Sequence, residues 1–376
     1  MKLTGFLRFM ILLTLMSCHS SEKNHDAIIS KKIDLTYAKR FKIKTNKDYT
    51  TIELLGNKNN AEVTATFILY KNKKPTHLQN VYYIKIPVKK IACLSSIYAA
   101  MLIKLNAQSH IAAIDNVDYY TNQYIINAVD NHTIIELSRE ININVEKTLV
   151  LNPDLLIAFG MGNPANDIDK KLQKTGIPIA ISLDHLEETP LARAEWIKFF
   201  GYFLDKEKIA DSLFSLTEKK YNNLKLLTKN LKNKRSVLTE IKYGDAWYIP
   251  SGKSYMANLL KDAGAIYLLG NPNETGSTPQ TFEYVYNAAK NCDVWLNLYN
   301  LNFKKELLSY DNRYGLFNAY KKNELYNNNK NQNSKGYSDY WETGIVNPDE
   351  VLADMIYILY PQLLQKHQLK YYKKLE

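Results

Sequence analysis

The sequence predicts an α/β protein of two lobes with parallel sheets, joined by one long helix and preceded by a β-rich extension. Apolar strands alternate with helices of 3.6-residue periodicity over residues 88–190 and again over 233–376. This alternation is typical of parallel sheets covered by helices on both faces. The 376 residues are also enough for more than one hydrophobic core.

The elements between and before the lobes follow from local patterns. Residues 27–87 contain β-branched and aromatic runs separated by Asn, Gly and Lys turns, which predicts strands. Residues 191–232 are predicted to be the linking helices, with Asp205 as an N-cap and an unbroken helix over 206–231. At about 1.5 Å per residue this helix would span roughly 39 Å, and one stiff connection argues against a wide hinge. The asparagine-rich stretch 323–335 is predicted to be a surface loop.

The N-terminus has the features of a secretory signal. Residues 1–17 contain Lys2 and Arg8 beside the apolar run "FMILLTLM", which is far shorter than the about 20 residues that a membrane span needs. The run ends in "LMSC", which resembles a bacterial lipobox and predicts lipidation of Cys18. Residues 18–26 would then be a polar tether, and the protein would be anchored by lipid in the cell envelope, on the extracytoplasmic face. The alternative is an ordinary signal peptide with a cysteine there by chance.

Composition limits the partners. The net charge is +11, with lysines spread along the chain and no arginine-rich run interleaved with aromatic residues. This argues against nucleic acid and favours an anionic membrane surface or an acidic ligand. The 28 tyrosines suit a wet binding surface, because their rings are apolar and their hydroxyl groups polar.

The sequence predicts neither a metal site nor a cofactor of the protein's own. None of the seven histidines belongs to a close His/His or His/Cys set of metal-ligand spacing. Cys93 and Cys292 lie in two apolar segments and are predicted to be buried small residues. The chain also lacks a G-x-S-x-G elbow and a phosphate-binding loop, so we do not expect an enzyme.

Three segments resemble one family. They are "NVEKTLVLNPDLLIAF" (144–159), "SGKSYMANLLKDAGA" (251–265) and "TPQTFEYVYNAAKNCDVWL" (278–296). Together with the architecture they resemble the class III, helical-backbone substrate-binding proteins of ABC importers, which carry cobalamin, ferric siderophores or haem. The resemblance covers about residues 88–365 and leaves the β-rich extension outside.

The resemblance implies how the protein would meet its transporter. In the family each lobe exposes one glutamate that docks onto arginines of the permease, and Glu146 and Glu283 stand at the matching places. A carboxylate in the first turn of a helix is favoured by the helix dipole by about 0.3–1 kcal/mol. It can also accept a bidentate arginine contact. An exposed glutamate at a helix start is common without any partner, so the pairing in two matching contexts is what supports docking.

Ligands of parallel α/β lobes lie beyond the carboxyl ends of the strands. Loops at those positions offer aromatic and polar side chains, which suit a bulky, flat or macrocyclic ligand. The predicted ligand contacts are Ser96, Tyr98, Tyr119, Arg139, Phe159 and Asn163 in the first lobe, and Trp247, Tyr248, Ser277, Tyr299 and Trp341 in the second. Arg139 is the predicted partner of an anionic ligand, with an ion pair to Glu136 or Glu140 as its alternative. His132 could ligate haem iron or be a surface histidine.

The resulting hypothesis is a lipid-anchored, monomeric binding protein that captures a bulky metal chelate and delivers it to an ABC importer. A second hypothesis is a surface-exposed capture or adhesion lipoprotein without a transporter, with the β-rich extension as its partner surface. An α/β enzyme is a third, and it is disfavoured because the cleft loops offer few titratable groups that could converge.

Overall fold

The computed structural model describes residues 30–56, 62–76, 78–138, 143–160, 167 and 170–376. The extension forms a five-stranded sheet in the order β1-β2-β3-β4-β5, antiparallel except for the parallel β4–β5 pair. Its strands are β1 (Lys31–Ile33), β2 (Phe41–Thr45), β3 (Tyr49–Leu55), β4 (Val63–Tyr70) and β5 (Tyr82–Lys85).

The N lobe is a parallel sheet of five strands in the order β10-β9-β6-β7-β8. The order reverses at β6, so the strands run outward in both directions from the lobe's first strand. The elements are β6 (Ile91–Leu94), α1 (Ser96–Lys104), β7 (Ile111–Ile114), α2 (Gln123–Asp130), β8 (Ile135–Glu136), α3 (Val145–Leu151), β9 (Leu155–Phe159), α4 (Lys170–Gln173) and β10 (Ile179–Ser182).

Three helices connect the lobes: α5 (Pro190–Glu195), α6 (Ile197–Phe203) and α7 (Glu207–Thr228). The 22 residues of α7 span about 33 Å. The prediction that Asp205 caps this helix is wrong. Lys206 holds the N-cap position, and Asp205 has a φ of 57° and pairs with Lys71 of the extension at 2.5 Å.

The C lobe has a four-stranded sheet, β11-β14-β15-β16, in which only β16 is antiparallel, and a separate antiparallel pair, β12-β13. Its strands are β11 (Val237–Thr239), β12 (Trp247–Pro250), β13 (Ser277–Gln280), β14 (Val294–Leu296), β15 (Leu325–Asn327) and β16 (Lys373–Lys374). Its helices are α8 (Tyr255–Asp262), α9 (Phe282–Ala289), α10 (Lys304–Tyr310), α11 (Asn318–Lys321), α12 (Thr343–Val346) and α13 (Pro348–Leu359). The two-lobed α/β architecture with parallel sheets is therefore confirmed.

The prediction of a surface loop over 323–335 is wrong for its first half, which contains the buried strand β15. The Asn327 side chain accepts a hydrogen bond from the backbone of Leu298 and donates to the carbonyls of Tyr299 and Leu301, each at 2.8 Å. A buried asparagine is stable where its hydrogen bonds are satisfied, and here it fixes the loop that follows β14.

The extension and the N lobe share one hydrophobic core. Phe41 packs on Trp196 with ring centroids 4.8 Å apart, and Phe67 packs on Phe203 at 5.5 Å. Each of these rings is almost fully buried, and burial of one such side chain contributes about 1.5–3 kcal/mol. The extension is therefore an integral part of the folded protein.

Hydrogen bonds also tie the two lobes directly. The Lys104 ammonium group of α1 donates to the carbonyl of Val346 at 2.9 Å and to the side chain of Asn347 at 2.8 Å. Thr121 donates to the buried Glu342 carboxylate through its backbone N–H at 2.8 Å and its hydroxyl group at 2.6 Å. These bonds add to the stiff helix α7 in resisting a wide opening of the lobes. Within the described residues, no helix combines the length and hydropathy needed to cross a membrane.

Candidate functional site

The carboxyl ends of the strands of both lobes border a cleft. Glu240 and Trp341 line three cavities of about 620, 530 and 320 Å³. The first two are lined by C-lobe residues, and the third is lined by both lobes and by Arg40 of the extension. Cavities of this size are typical of small-molecule sites. Because they share two lining residues, we treat them as parts of one elongated site.

The C-lobe wall of the cleft is aromatic. Tyr248, Tyr299 and Trp341 each expose about half of their surface, and Tyr243 exposes 72%. All four line the 620 Å³ cavity. Trp341 is held at an edge-to-face angle against the buried Tyr340, with centroids 4.8 Å apart. Such rings offer a large apolar contact area to a flat ligand. Ser277 lines the same cavity, as the first residue of β13.

Two predicted ligand contacts are wrong because their side chains belong to the core. Trp247 is fully buried, stacks on Trp295 at 5.7 Å and donates from its indole N–H to the carbonyl of Thr239 at 3.1 Å. Tyr98 is 1% exposed in the core of the N lobe, with its hydroxyl group 3.5 Å from Asp184. Neither ring is available to a ligand in the cleft.

Three predicted ligand contacts of the N lobe are at least partly exposed, unlike Trp247 and Tyr98. Phe159, at the end of β9, is 47% exposed and packs against the His185 ring at 4.2 Å. Tyr119 packs on Tyr337 of the other lobe at 4.9 Å, so it spans the cleft at one end. Ser96, the first residue of α1, is partly exposed.

Several cleft residues were missing from the sequence prediction. The 320 Å³ cavity is bordered by Arg40, His185 and Arg193 on the N-lobe side and by Lys253 and Tyr255 on the C-lobe side. His185 carried a signal, because it follows the carboxyl end of β10 in a loop that the prediction left out. Arg40 carried none, because it belongs to the extension and reaches the cleft only through the tertiary fold.

Two of these side chains have buried polar atoms without partners. Both ring nitrogens of His185 and the Nε of Arg193 lack a hydrogen-bond partner within the described structure. Burial lowers the pKa of His185 to about 4, so its ring is neutral at pH 7. Arg193 does form an ion pair with Asp184 at 3.0 Å, and its guanidinium group lies 5.2 Å from the centre of the Tyr255 ring. Unpaired buried polar atoms are costly, and a ligand could satisfy them.

Glu240 is the carboxyl group shared by all three cavities. It follows β11 with a φ of 63°, and its side chain accepts a hydrogen bond from Asn297 at 3.2 Å. Burial raises its pKa to about 7, so a large fraction is protonated near neutral pH. Glu240 is therefore only partly ionised near neutral pH, and the other carboxylate that lines the 620 Å³ cavity, Asp311, is paired with Arg313.

Some predictions fall outside the described residues. These are the lipidation site Cys18 and the ligand contacts Arg139 and Asn163. His132 is described, and it is exposed in the turn between α2 and β8. That turn lies at the amino end of the parallel strands, away from the cleft, so a role for His132 in binding haem iron there is wrong.

The described residues contain no group of three or more His, Cys, Asp or Glu side chains that could hold a metal ion. Cys93 and Cys292 are free thiols, and both are buried. Burial raises the pKa of the Cys292 thiol to about 11 and that of Cys93 further still, so both are protonated at pH 7.

Both predicted docking glutamates are exposed in the first turn of a helix, Glu146 in α3 and Glu283 in α9. Each helix runs back from the carboxyl edge of its sheet, so its N-terminus is on the cleft side of its lobe. The two sites differ in one respect. Glu283 forms an ion pair with Arg313 at 3.2 Å, whereas Glu146 has no ion pair within the described structure.

Residues 91–331 match the model of a family described as periplasmic binding protein. The chain belongs to this family. The resemblance stated from the sequence is confirmed, and solved structures of the same fold include an ABC transporter substrate-binding protein. Members of the family bind solutes rather than act as enzymes. The matched region begins at β6, so β1 to β5 lie outside it.

Two relatives of the protein come from Methanocaldococcus jannaschii. One uncharacterized lipoprotein is 26% identical over 311 residues, which cover 78% of this chain and 70% of the relative. Another is 24% identical over 357 residues, covering 90% of this chain and 86% of the relative.

Solved structures support the same fold. A possible iron-binding periplasmic solute-binding protein from Staphylococcus epidermidis has a TM-score of 0.56 at 18% identity, covering 73% of this chain and 99% of that one. The vitamin B12 binding protein of Vibrio cholerae has a TM-score of 0.54 at 14% identity, and the match covers 75% of this chain and 99% of that one. The heme binding protein of the same organism has a TM-score of 0.51 at 17% identity, and the match covers 69% of this chain and 97% of that one.

Proposed function

We propose that this periplasmic binding protein is lipid-anchored through Cys18, captures a bulky metal chelate in the inter-lobe cleft and delivers it to an ABC importer. The candidate ligands are cobalamin, a ferric siderophore and haem. The observation that carries this proposal is the aromatic wall of Tyr248, Tyr299 and Trp341 in the 620 Å³ cavity, which shares Trp341 with the two neighbouring cavities. A wall of half-exposed rings fits a flat or macrocyclic ligand better than a sugar or an amino acid.

Names of similar proteins support the choice of ligand class. Structures with the same fold are described as binding vitamin B12, heme and possibly iron. The absence of a candidate protein metal site within the described residues agrees with a metal that arrives already chelated. The relatives named lipoproteins support the anchor.

Delivery would use Glu146 and Glu283. Both lie at helix N-termini on the cleft side of their lobes, where the helix dipole favours a carboxylate. A permease arginine could bind Glu146 directly, but at Glu283 it must compete with Arg313. Arg313 is itself held by Asp311 at 2.7 Å and lies over the Phe282 ring at 3.9 Å. Asp311 therefore keeps Arg313 in place when Glu283 leaves Arg313 to bind a permease arginine.

The double substitution Glu146→Ala with Glu283→Ala tests delivery. We expect ligand affinity to stay within about twofold of that of the unaltered protein, while uptake by cells carrying only the variant falls by at least about tenfold. The expected loss follows from the removal of two charge-assisted contacts. The matched control is Glu207→Ala, which removes another first-turn glutamate from α7. Normal uptake by the double variant would refute the docking role, and equal loss in the control would point to a nonspecific charge effect.

A further inference from the structure

The extension places one of its side chains in the cleft. Three successive backbone N–H groups, at positions 36–38, donate to the buried carboxylate of Glu195 at 2.7–3.0 Å. The backbone N–H of Arg40 donates to Glu187 at 3.1 Å. Both acceptors are buried, so these charge-assisted bonds fix the loop against the linking helices. The position of Arg40 is thus set by the fold and not by a flexible terminus.

The Arg40 guanidinium group is half-buried in the wall of the 320 Å³ cavity and is little used by the protein itself. Within the described residues it makes one hydrogen bond, at 3.5 Å to the carbonyl of Gly56, and no ion pair. The neighbouring acids have other partners. Glu187 accepts from two backbone N–H groups and the Trp196 indole, and Glu188 pairs with Lys39 at 3.7 Å.

A second cation lines the same cavity from the other lobe. Lys253 is exposed, and its backbone N–H donates to the backbone carbonyl of Glu274 at 2.9 Å in the turn before α8. Its ammonium group makes no ion pair within the part of the chain that the structure describes. His185, with two unpartnered ring nitrogens, borders the same cavity. The cavity thus offers two cations without ion pairs within the described residues and a neutral ring with unused hydrogen-bonding capacity, beside the carboxyl groups of Glu187, Glu188 and Glu240.

We propose that Arg40 and Lys253 bind an anionic group of the ligand from opposite sides of the cleft, so that the cargo is an anionic chelate and the extension is part of the recognition surface. This inference rests on the proposed function and narrows its ligand class. A guanidinium group binds carboxylate or catecholate oxygens in a bidentate manner. A cavity of about 320 Å³ suits such a group, while the aromatic wall holds the rest of the ligand. The β-rich extension, although outside the family match, would then be needed for selectivity.

The test measures the affinity of the full chain for ferric chelates of different charge: an anionic tris-catecholate, the neutral trihydroxamate ferrichrome and the cationic ferrioxamine B, with haemin and cyanocobalamin alongside. We expect anionic chelates to bind most tightly, with an affinity that falls as salt rises. Arg40→Gln should weaken their binding on the order of tenfold to a hundredfold, the effect of one charge-assisted hydrogen bond, and leave any binding of the neutral chelates unchanged. Arg40→Lys should recover part of the loss, and Lys253→Gln should reproduce it.

Lys42→Gln is the matched control, because it removes an exposed cation from β2 that lines none of the three cavities. Thermal unfolding of each variant checks that the fold is kept. If Arg40→Gln does not fold, Lys253→Gln still tests the proposal, because Lys253 is exposed and its substitution should not disturb the fold. Equal affinity of Arg40→Gln and the unaltered protein for the anionic chelate would overturn the inference, as would equal losses for anionic and neutral chelates. Binding without charge preference would overturn the inference and leave the proposed function standing. Binding of no chelate at all would overturn both.

Discussion

The two walls of the cleft have different chemistry. The C-lobe wall exposes Tyr248, Tyr299 and Trp341, and burial raises the pKa of its shared carboxyl group, Glu240, to about 7. The opposite wall presents Arg40 and the polar ring of His185. A ligand that contacts both walls would be recognised by shape and apolar area on one side and by charge on the other. The contribution of the aromatic rings and that of the charged side chains, Arg40 together with Lys253 of the C lobe, can therefore be tested separately.

The largest effect is expected on the aromatic wall. Trp341→Ala should weaken binding of the transported chelate by about tenfold to a hundredfold, because a central exposed tryptophan is a typical binding hot spot. Isothermal titration of the full chain would measure this loss. The control is Tyr124→Ala, which removes a ring of similar exposure (43%) on α2 that lines none of the three cavities. Equal changes in both variants would contradict the assignment of affinity to the C-lobe wall.

A smaller effect concerns Glu240 and pH. Its folded pKa of about 7 lies above its ordinary value of 4.5, so its contribution to stability is fully present below pH 4.5 and is lost as pH rises through 7. Glu240→Gln mimics the protonated form at all pH values. We expect the variant to match the unaltered protein at pH 4.5 and to exceed its free energy of unfolding by about 1–3 kcal/mol at pH 8. Denaturant unfolding at several pH values would measure the difference.

The control for this prediction is Glu188→Gln, which alters a carboxylate that lines the 320 Å³ cavity and has Lys39 as a partner. This variant should not be more stable than the unaltered protein at either pH. The free energy of unfolding could instead depend on pH in the same way for Glu240→Gln and the unaltered protein between pH 4.5 and 8. Glu240 would then be negatively charged at neutral pH, and the contrast between the walls would be weaker than described.

The fold was predictable because its signals are local. Alternating strands and helices give the two parallel sheets, and a run without glycine or proline gives α7. The exposed glutamates at the starts of α3 and α9 were also predicted, since a residue's place in the first helical turn depends only on its neighbours. The asparagine-rich stretch was mistaken for a loop because its hydrogen bonds are made with a distant segment, the chain after β14.

The site was predicted less well, for two physical reasons. Neighbouring residues of a strand point to opposite faces, so Trp247 and Tyr248 could not both face the cleft, and the buried one is Trp247. Long-range contacts carry no local pattern. Arg40 reaches the cleft because residues 36–38 bind Glu195, more than 150 positions away along the chain.

We propose that one ligand contacts both walls at once. The most direct test is amide hydrogen exchange of the full chain with and without the chelate that binds it most tightly in titration. We expect slower exchange in peptides from both sides of the cleft: those around Arg40 and His185, and those around Tyr248, Tyr299 and Trp341. Protection confined to one lobe, or no protection on either wall, would contradict it.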